Sequence, residues 1–173
     1  MSEEVALTIR EAKPEDASEL LRLMQQIDEE TDFLVLDEKG LELTSEVLAI
    51  EISYLQESIN NLLLVAITDK KIIGLVSVKA KDQYRIAHIG EIGISILKEY
   101  WGMGLGTMML EEVLCWVKEN GVLFRLELDV QTRNKRAIRL YQKMGFQIEA
   151  TMKRGARKDT GEFLDVYKMS LLL

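Results

Sequence analysis

Residues 101–106 read WGMGLG, and their three alternating glycines stand where an apolar strand pattern gives way to an amphipathic helix pattern. Glycine lets main-chain N–H groups approach an anion closely, and the positive end of the following helix adds to the attraction. The stretch therefore predicts a cradle for a diphosphate. A glycine-rich turn without any ligand would have the same spacing.

Two common nucleotide-binding loops fit this stretch poorly. A nucleoside triphosphate loop needs a lysine after its last glycine, but Thr107 follows Gly106. A dinucleotide fingerprint needs G-x-G-x-x-G early in a βαβ unit; counted from Gly102, its third glycine would fall on Thr107, and about a hundred residues come first. A triphosphate loop is thus excluded, and dinucleotide binding has weak support.

A second motif lies about thirty residues downstream, where residues 134–146 read NKRAIRLYQKMGF. The ordered pair of motifs resembles the GCN5-related N-acetyltransferase (GNAT) family, whose members carry a Gln/Arg-x-x-Gly-x-Gly/Ala loop and a later Asn-x-x-Ala-x-x-Leu-Tyr-x-x-x-Gly-Phe helix. Trp101 departs from this pattern, because the family more often has Arg or Gln there. In length and element order the resemblance covers almost the whole chain.

The resemblance implies an α/β (α+β) GNAT fold. Its central mixed sheet is mostly antiparallel, with six to seven strands, about four helices, and strands that splay at the coenzyme site. We expect a single N-acetyltransferase domain over residues 1–173. Hydrophobic periodicity predicts strands at 5–10, 61–68, 72–78, 89–97, 124–130, 146–153 and 163–172. It predicts helices at 14–28, at 44–55, from the glycine turn to about 120, and at 135–144.

Composition is typical of one compact domain. The 173 residues are 47% hydrophobic and 29% charged, no apolar run approaches the roughly 20 residues that span a bilayer, and the N-terminus is acidic. We therefore expect a cytoplasmic protein without a membrane partner. A single histidine and a single cysteine argue against a transition-metal site, so no metal is predicted. Helical spacing predicts that Cys115 is buried.

Charge is distributed unevenly along the chain. Residues 1–60 contain sixteen acidic and four basic side chains, whereas the remainder contains thirteen acidic and eighteen basic ones. Nucleic-acid binding is disfavoured, because the acidic half would repel phosphates. Within the resemblance, the basic excess would face coenzyme A, with Arg133, Lys135, Arg136, Arg139 and Lys143 concentrated on or beside the Asn134 helix.

The acidic half has a complementary use in the resembled fold, where the first two helices and their connection line the acceptor side of the groove. Here that connection carries Asp28, Glu29, Glu30, Asp32, Asp37 and Glu38. We expect them to attract a cationic primary amine, such as a basic peptide terminus, a polyamine or an aminoglycoside. The predicted substrate-binding residues are Glu29, Glu30 and Asp32. An ordinary solvated acidic surface is the alternative.

Amine acetylation benefits from a general base, because an alkylammonium of pKa about 10.4 is mostly protonated at neutral pH. Glu91 stands at the position where some members of the resembled family carry a catalytic Glu. It could instead be a cross-strand polar residue or a substrate anchor. His88 is the other candidate, since a free imidazole has a pKa of about 6.5.

The resemblance also assigns coenzyme contacts. The main chain at 94–96 would meet the acetyl carbonyl and pantetheine, and Tyr141 would protonate or contact the departing thiolate, unless it only packs against the coenzyme. Asn134 would bond the pantetheine or adjoining backbone, or cap its helix. The predicted coenzyme-binding residues are Ile94, Ser95, Ile96, Trp101, Gly102, Met103, Gly104, Leu105, Gly106, Thr107, Asn134, Ala137, Tyr141 and Lys143.

The predicted function is acetyl transfer from acetyl-CoA, as co-substrate, to a primary amine that attacks the thioester directly. A coenzyme-binding regulatory module without turnover is the alternative. The acceptor cannot be read from the sequence, and the segment at 154–163 is expected to be a hairpin that borders the acceptor groove. A homodimer is plausible, because edge strands can pair between copies.

Overall fold

The computed structural model describes residues 6–34 and 43–173. A seven-stranded sheet runs through it in the order β1-β2-β3-β4-β5-β7-β6. The strands are β1 (Leu7–Glu11), β2 (Leu62–Thr68), β3 (Lys71–Ala80), β4 (Ile89–Ile96), β5 (Arg125–Gln131), β6 (Gln147–Arg157) and β7 (Phe163–Leu172). Neighbouring strands are antiparallel except β4 and β5, which are parallel.

Within the described residues four α-helices accompany the sheet, which confirms the predicted mixed, mostly antiparallel α/β fold. They are α1 (Ala17–Glu30), α2 (Ser45–Glu57), α3 (Leu105–Asn120) and α4 (Lys135–Lys143). Capping residues mark the start of α2 and the end of α3. Thr44 Oγ1 accepts from the Val47 N–H at 3.2 Å and starts α2, and Gly121 ends α3 in the left-handed region at φ +66°.

The hydrophobic core lies between the sheet and these helices. Its fully buried side chains include Leu20 of α1, Ile52 of α2, Met109 of α3 and Leu126 of β5. On α1 the buried positions recur at helical spacing, so one stripe of the helix faces the sheet. The opposite stripe holds charged residues and stays in water.

The strands β4 and β5 pair only at one end. Residues 89–91 lie in register with residues 125–127, and no pairing follows beyond them. At this junction a Cβ on Gly90 would lie 2.7 Å from Val78 Cγ1 and 3.1 Å from Leu126 Cδ2, so a larger residue would displace the side chains packed against it. Past the junction the strands diverge and leave a gap in the sheet.

Two predictions of local structure are wrong, and two others include residues outside the described ranges. Cys115 is exposed, not buried, because the buried stripe of α3 contains Met109, Val113 and Val117 and leaves position 115 outside it. The strand predicted to stop at 153 continues to Arg157. Residue 5, where the first strand was predicted to begin, lies outside the described residues. Asp37 and Glu38 of the acidic connection lie outside them as well.

Within the described ranges, no helix is long and apolar enough to cross a membrane. The same ranges contain no group of three or more His, Cys, Asp or Glu side chains that could hold a metal ion.

Candidate active site

A cleft of about 890 Å³ opens where β4 and β5 separate. Its walls come from the diverging part of β4, the glycine turn, α4, the end of α1 and residues 31–34. Because the sheet is interrupted here, main-chain groups that would pair in a continuous sheet are available to a ligand. The cleft can therefore hold an extended molecule between the two strands.

The glycine turn forms one end of this cleft. Gly102 and Gly104 have φ of +77° and +81°, and a Cβ on either would meet nothing within 4 Å, so backbone conformation and not space requires glycine. The N–H groups of residues 102–107 donate no main-chain hydrogen bond within the described part of the chain. Gly104, the N-cap of α3, supplies no side-chain cap. A row of free donors therefore meets the positive end of a helix, which suits an anion.

Gly106 serves a different purpose in the same turn. A Cβ there would lie 2.9 Å from Leu140 Cδ2 of α4. The missing side chain allows α3 and α4 to approach each other, and this approach closes the cleft behind the turn.

The diverging part of β4 offers main-chain donors to the gap. Leu97 donates its N–H to the Ile73 carbonyl of β3 at 2.9 Å. Alternation along an antiparallel ladder then directs the N–H groups of Ile96 and Ile94 away from β3, toward the separated β5. Consistently, the Ile96 carbonyl on that side accepts from the Trp101 indole N–H at 2.7 Å.

Helix α4 forms the wall opposite β4. Asn134 Oδ1 accepts from the Ala137 N–H at 3.2 Å and caps the helix. Tyr141 is 6% exposed, its ring packs against Phe146 with centroids 5.8 Å apart, and it lines the cleft. Burial raises the pKa of the Tyr141 phenol, and no hydrogen bond to its hydroxyl occurs among the described residues. The phenol is thus a protonated donor without a hydrogen-bond partner among the described residues.

Two carboxylates line the cleft, Glu91 on β4 and Asp129 on β5. Glu91 is exposed, whereas Asp129 Oδ1 lies 2.8 Å from Lys168 Nζ on β7. Burial lowers the pKa of Lys168, but the pairing with Asp129 and the attraction of Glu127 outweigh this effect and raise it overall. Sequence reasoning missed Asp129. Its signal was the alternation of residues 125–131, which places Glu127 and Asp129 on one face.

The acidic residues at the end of α1 and directly after it are placed differently from the cleft carboxylates. The Glu30 carboxylate accepts from the Lys98 N–H at 2.9 Å and from Gln26 Nε2 at 2.8 Å, and the Lys98 bond is the main reason that its pKa is lowered. Asp32 pairs with Arg133 at 3.0 Å. Glu29 is exposed and stands off the cleft wall, which is formed here by Thr31, Phe33 and Leu34.

Comparison with known proteins identifies the fold and the family. Residues 18–146 match the model of the Acetyltransferase (GNAT) family. The chain belongs to this family. A GNAT-family acetyltransferase from Streptococcus pneumoniae is 45% identical, with a TM-score of 0.94 over 97% of this chain and 100% of that one. The structure of yncA from Salmonella typhimurium, solved with its cofactor acetyl-CoA, has a TM-score of 0.81 over 97% of this chain and 94% of that one, at 22% identity.

Two curated relatives match shorter regions. The L-amino acid N-acetyltransferase AaaT of Escherichia coli (strain K12) is 31% identical over 111 residues, which is 62% of this chain and 65% of AaaT. N-alpha-acetyltransferase 50 of Danio rerio is 40% identical over 60 residues, or 35% of this chain and 36% of that protein. The chain thus covers less than two thirds of the length of either relative.

The GNAT cleft collects most residues that the sequence predicted for the coenzyme. On its wall lie Ile94, Ser95, Ile96, Trp101, Gly102, Gly104, Gly106, Thr107, Asn134, Ala137 and Tyr141. Met103, Leu105 and Lys143 are not on the wall. His88 is outside it too, at the start of β4, where its carbonyl accepts from the N–H groups of Phe124 and Arg125. Of the two predicted bases, only Glu91 therefore faces the GNAT cleft.

Proposed function

We propose that this GNAT-family protein is an acetyl-CoA-dependent N-acetyltransferase in which a primary amine attacks the thioester directly. The observation that carries the proposal is the continuous cleft that joins free main-chain amides at 102–107 to the open strand β4 and to Tyr141. A diphosphate at one end and a thioester at the other would use these two features together.

The donor side of the cleft suits acetyl-CoA. The amides of residues 102–107 bind the diphosphate, and the pantetheine arm lies in the gap between β4 and β5, where it replaces the missing strand pairing. In yncA of Salmonella typhimurium, which shares the fold, acetyl-CoA is the cofactor in the solved structure. The Ile94 and Ile96 N–H groups then lie near the thioester carbonyl.

The chemical step can be assigned to residues of the cleft. The amine nitrogen bonds to the thioester carbonyl carbon, and the oxygen that becomes negative accepts from β4 main-chain N–H groups. Before this attack Glu91 removes a proton from the ammonium, directly or through a water, so that the neutral amine is the nucleophile. After the attack the nitrogen loses a second proton, which passes through solvent and is balanced by the proton that the thiolate takes up. When the C–S bond breaks, the Tyr141 phenol donates a hydrogen bond or its proton to the leaving thiolate.

The acceptor side favours a cationic amine. Glu91 is exposed at the cleft and has no ion-pair partner among the described residues. Asp129 on the neighbouring strand is paired with Lys168, and Glu127, which is not on the cleft wall, is paired with Arg125 and Lys168, so the attraction for a cation rests on Glu91. We propose a cationic small amine or a basic peptide terminus as acceptor. The names of AaaT and N-alpha-acetyltransferase 50, which denote acetylation of L-amino acids and of α-amino groups, support an α-amine. Glu29, Glu30 and Asp32 stay predictions as substrate contacts, as do a homodimer and a cytoplasmic location.

The test is a turnover screen of the full chain with acetyl-CoA and a panel of amines, read by release of free thiol. The panel contains L-amino acids, polyamines, aminoglycosides and peptides with basic N-termini, and the Kd of coenzyme A is measured in parallel. Turnover with at least one amine is expected. Tight coenzyme binding without turnover on any amine would instead indicate a regulatory module.

Glu91→Gln sharpens the result, with Glu111→Gln on the exposed side of α3 as a control for the lost charge. Loss of a general base lowers kcat by about 10²- to 10⁴-fold. The coenzyme Kd should not change, and the control should behave as the wild type. An unchanged kcat in Glu91→Gln would remove Glu91 from the mechanism.

A further inference from the structure

Trp101 begins the glycine turn but cannot offer its polar atom to a ligand. Its indole N–H is already donated to the Ile96 carbonyl at 2.7 Å. This bond ties the ring to the end of β4 and leaves one ring face toward α4. Trp101, at the first position of the turn, therefore does not bind an anion itself, and its ring contacts a neighbouring side chain instead.

The neighbour is Arg136, in the first turn of α4. Its guanidinium carbon lies 4.1 Å from the centroid of the Trp101 ring, a cation–π arrangement that fixes the long side chain against the turn. Arg136 lines the cleft, and no carboxylate lies within ion-pair distance of it in the described part of the chain. The other arginine on an aromatic ring of the cleft, Arg133 over Phe33, does have such a partner in Asp32.

Arg136 lies in an electropositive part of the cleft. The residue is exposed, and its contact with the Trp101 ring covers part of the guanidinium, so its pKa is lowered. It also stands at the positive end of α4, whose first turn contains no acidic residue. A cation that is held in place on the cleft wall, beside a row of free N–H donors and without a carboxylate partner among the described residues, is arranged to receive an anion.

We infer that Arg136, held by the Trp101 ring, binds a phosphate group of coenzyme A at the mouth of the glycine turn. This inference rests on the proposed function. Arg136 would add a charged contact to the neutral main-chain donors of the turn. Its planar guanidinium can bind two phosphate oxygens in a bidentate arrangement. Trp101 is a positioning residue for this contact.

Arg136→Gln tests the contact by calorimetric titration with coenzyme A and with 3′-dephospho-coenzyme A. Lys118→Gln, an exposed position near the far end of α3, controls for the loss of one positive charge. Arg136→Gln should raise the Kd of coenzyme A about 10- to 100-fold, and Arg136→Lys should raise it less. An equal loss for both ligands supports a diphosphate contact, and a loss confined to coenzyme A supports a 3′-phosphate contact.

Variants of Trp101 and the thermal stability of Arg136→Gln show whether Arg136 binds the coenzyme or only stabilises the fold. Trp101→Leu should weaken coenzyme binding about 2- to 5-fold, and Trp101→Phe, which keeps a ring face, should weaken it less. The ligand-free Tm of Arg136→Gln should stay close to that of the wild type, because the loss of the contact with Trp101 and the removal of a cation from the positive end of α4 act in opposite directions. A lower Tm with an unchanged Kd would overturn the inference.

Coenzyme binding by the wild type and by Arg136→Gln distinguishes a failure of the Arg136 contact from a failure of the proposed function. If the wild type binds coenzyme A and Arg136→Gln binds it equally well, the inference is wrong and the proposed function stands. If the wild type has no affinity for coenzyme A, the proposed function is wrong and the inference falls with it.

Discussion

Arg133 and Asp32 lie 101 positions apart in the chain and form an ion pair, with 3.0 Å between Arg133 Nη2 and Asp32 Oδ1. The same nitrogen donates to the Asp32 carbonyl at 2.8 Å. Gln131, only 2% exposed, adds hydrogen bonds of 3.1 Å to the carbonyls of Asp32 and Leu34. These contacts fasten the segment after α1 to the end of β5, beside the cleft.

Arg133→Gln is expected to loosen this segment without unfolding the protein. Residues 31–34 border the side of the cleft that we propose for the acceptor, so the KM for the amine should rise about 3- to 10-fold through the lost charge-assisted bonds. The Kd of coenzyme A should stay within a factor of about two. Steady-state kinetics and titration measure the two quantities, and Arg22→Gln on exposed α1 is the control. An equal rise in the coenzyme Kd would place Arg133 on the donor side instead.

Gly104→Ala separates backbone strain from ligand binding. A side chain at φ +81° costs about 1 kcal/mol of folding free energy, and relaxation of this strain reshapes the turn that presents the free amides. Gly121 offers a matched control, because it has φ +66°, also has open space around its Cβ position, and lies at the far end of α3. Both alanine variants should lose similar stability in urea unfolding. Only Gly104→Ala should weaken coenzyme binding, and equal Kd values for the two variants would contradict this.

The backbone geometry of the glycine turn and of the start of α4 was predictable because its signals are local. Glycines, a helix start and the Asn134 cap lie within short stretches, and their geometry follows from the backbone. The acceptor side depends on contacts between distant residues. Glu30 reaches Lys98, and Asp32 reaches Arg133, so two acidic residues that look free in the sequence have partners in the fold. The pairing of Arg136 with Trp101 is equally non-local.

The end of β6 shows a second limit of sequence patterns. Residues 154–161 read RGARKDTG, which is typical of a long turn. In the structure the strand continues to Arg157 through an irregularity between Met152 and Ala156, with Arg154 at φ +54°. The connection itself spans only residues 158–162 and is held by the Lys158–Glu162 ion pair at 2.8 Å. A bulge lets a strand pass through residues that favour turns.

Tyr141→Phe should affect turnover and not binding. The phenol is buried and its pKa is raised, so it remains a donor across the neutral and mildly alkaline range in which amines are acetylated. Loss of a hydrogen bond to a developing thiolate should lower kcat about 10- to 100-fold. The coenzyme Kd should be unchanged, because the ring still packs on Phe146. A parallel loss of affinity and of Tm would mean that the hydroxyl has a structural role.

Asp16 provides a test of stability against pH. Its carboxylate accepts from Arg10 at 2.7 and 3.0 Å and from the Lys13 N–H at 2.7 Å, and its side chain is 12% exposed. The Arg10 bond is the main reason that the pKa of Asp16 is lowered in the folded protein. A lowered folded-state pKa stabilises the protein above the unfolded-state value of about 3.9. This stabilisation is lost as the pH falls through the folded-state value.

Asp16→Asn should therefore cost about 1–3 kcal/mol of unfolding free energy at pH 7. The difference from the wild type should shrink as the pH is lowered below about 3.9, because protonated Asp16 no longer pairs with Arg10 as an anion. Urea unfolding at pH 7, 5 and 3 measures the difference, and Asp28→Asn, on an exposed position of α1, should stay within about 0.5 kcal/mol of the wild type at pH 7. A difference between Asp16→Asn and the wild type that stays constant with pH would mean that packing, and not the charge of the carboxylate, accounts for the contribution of Asp16.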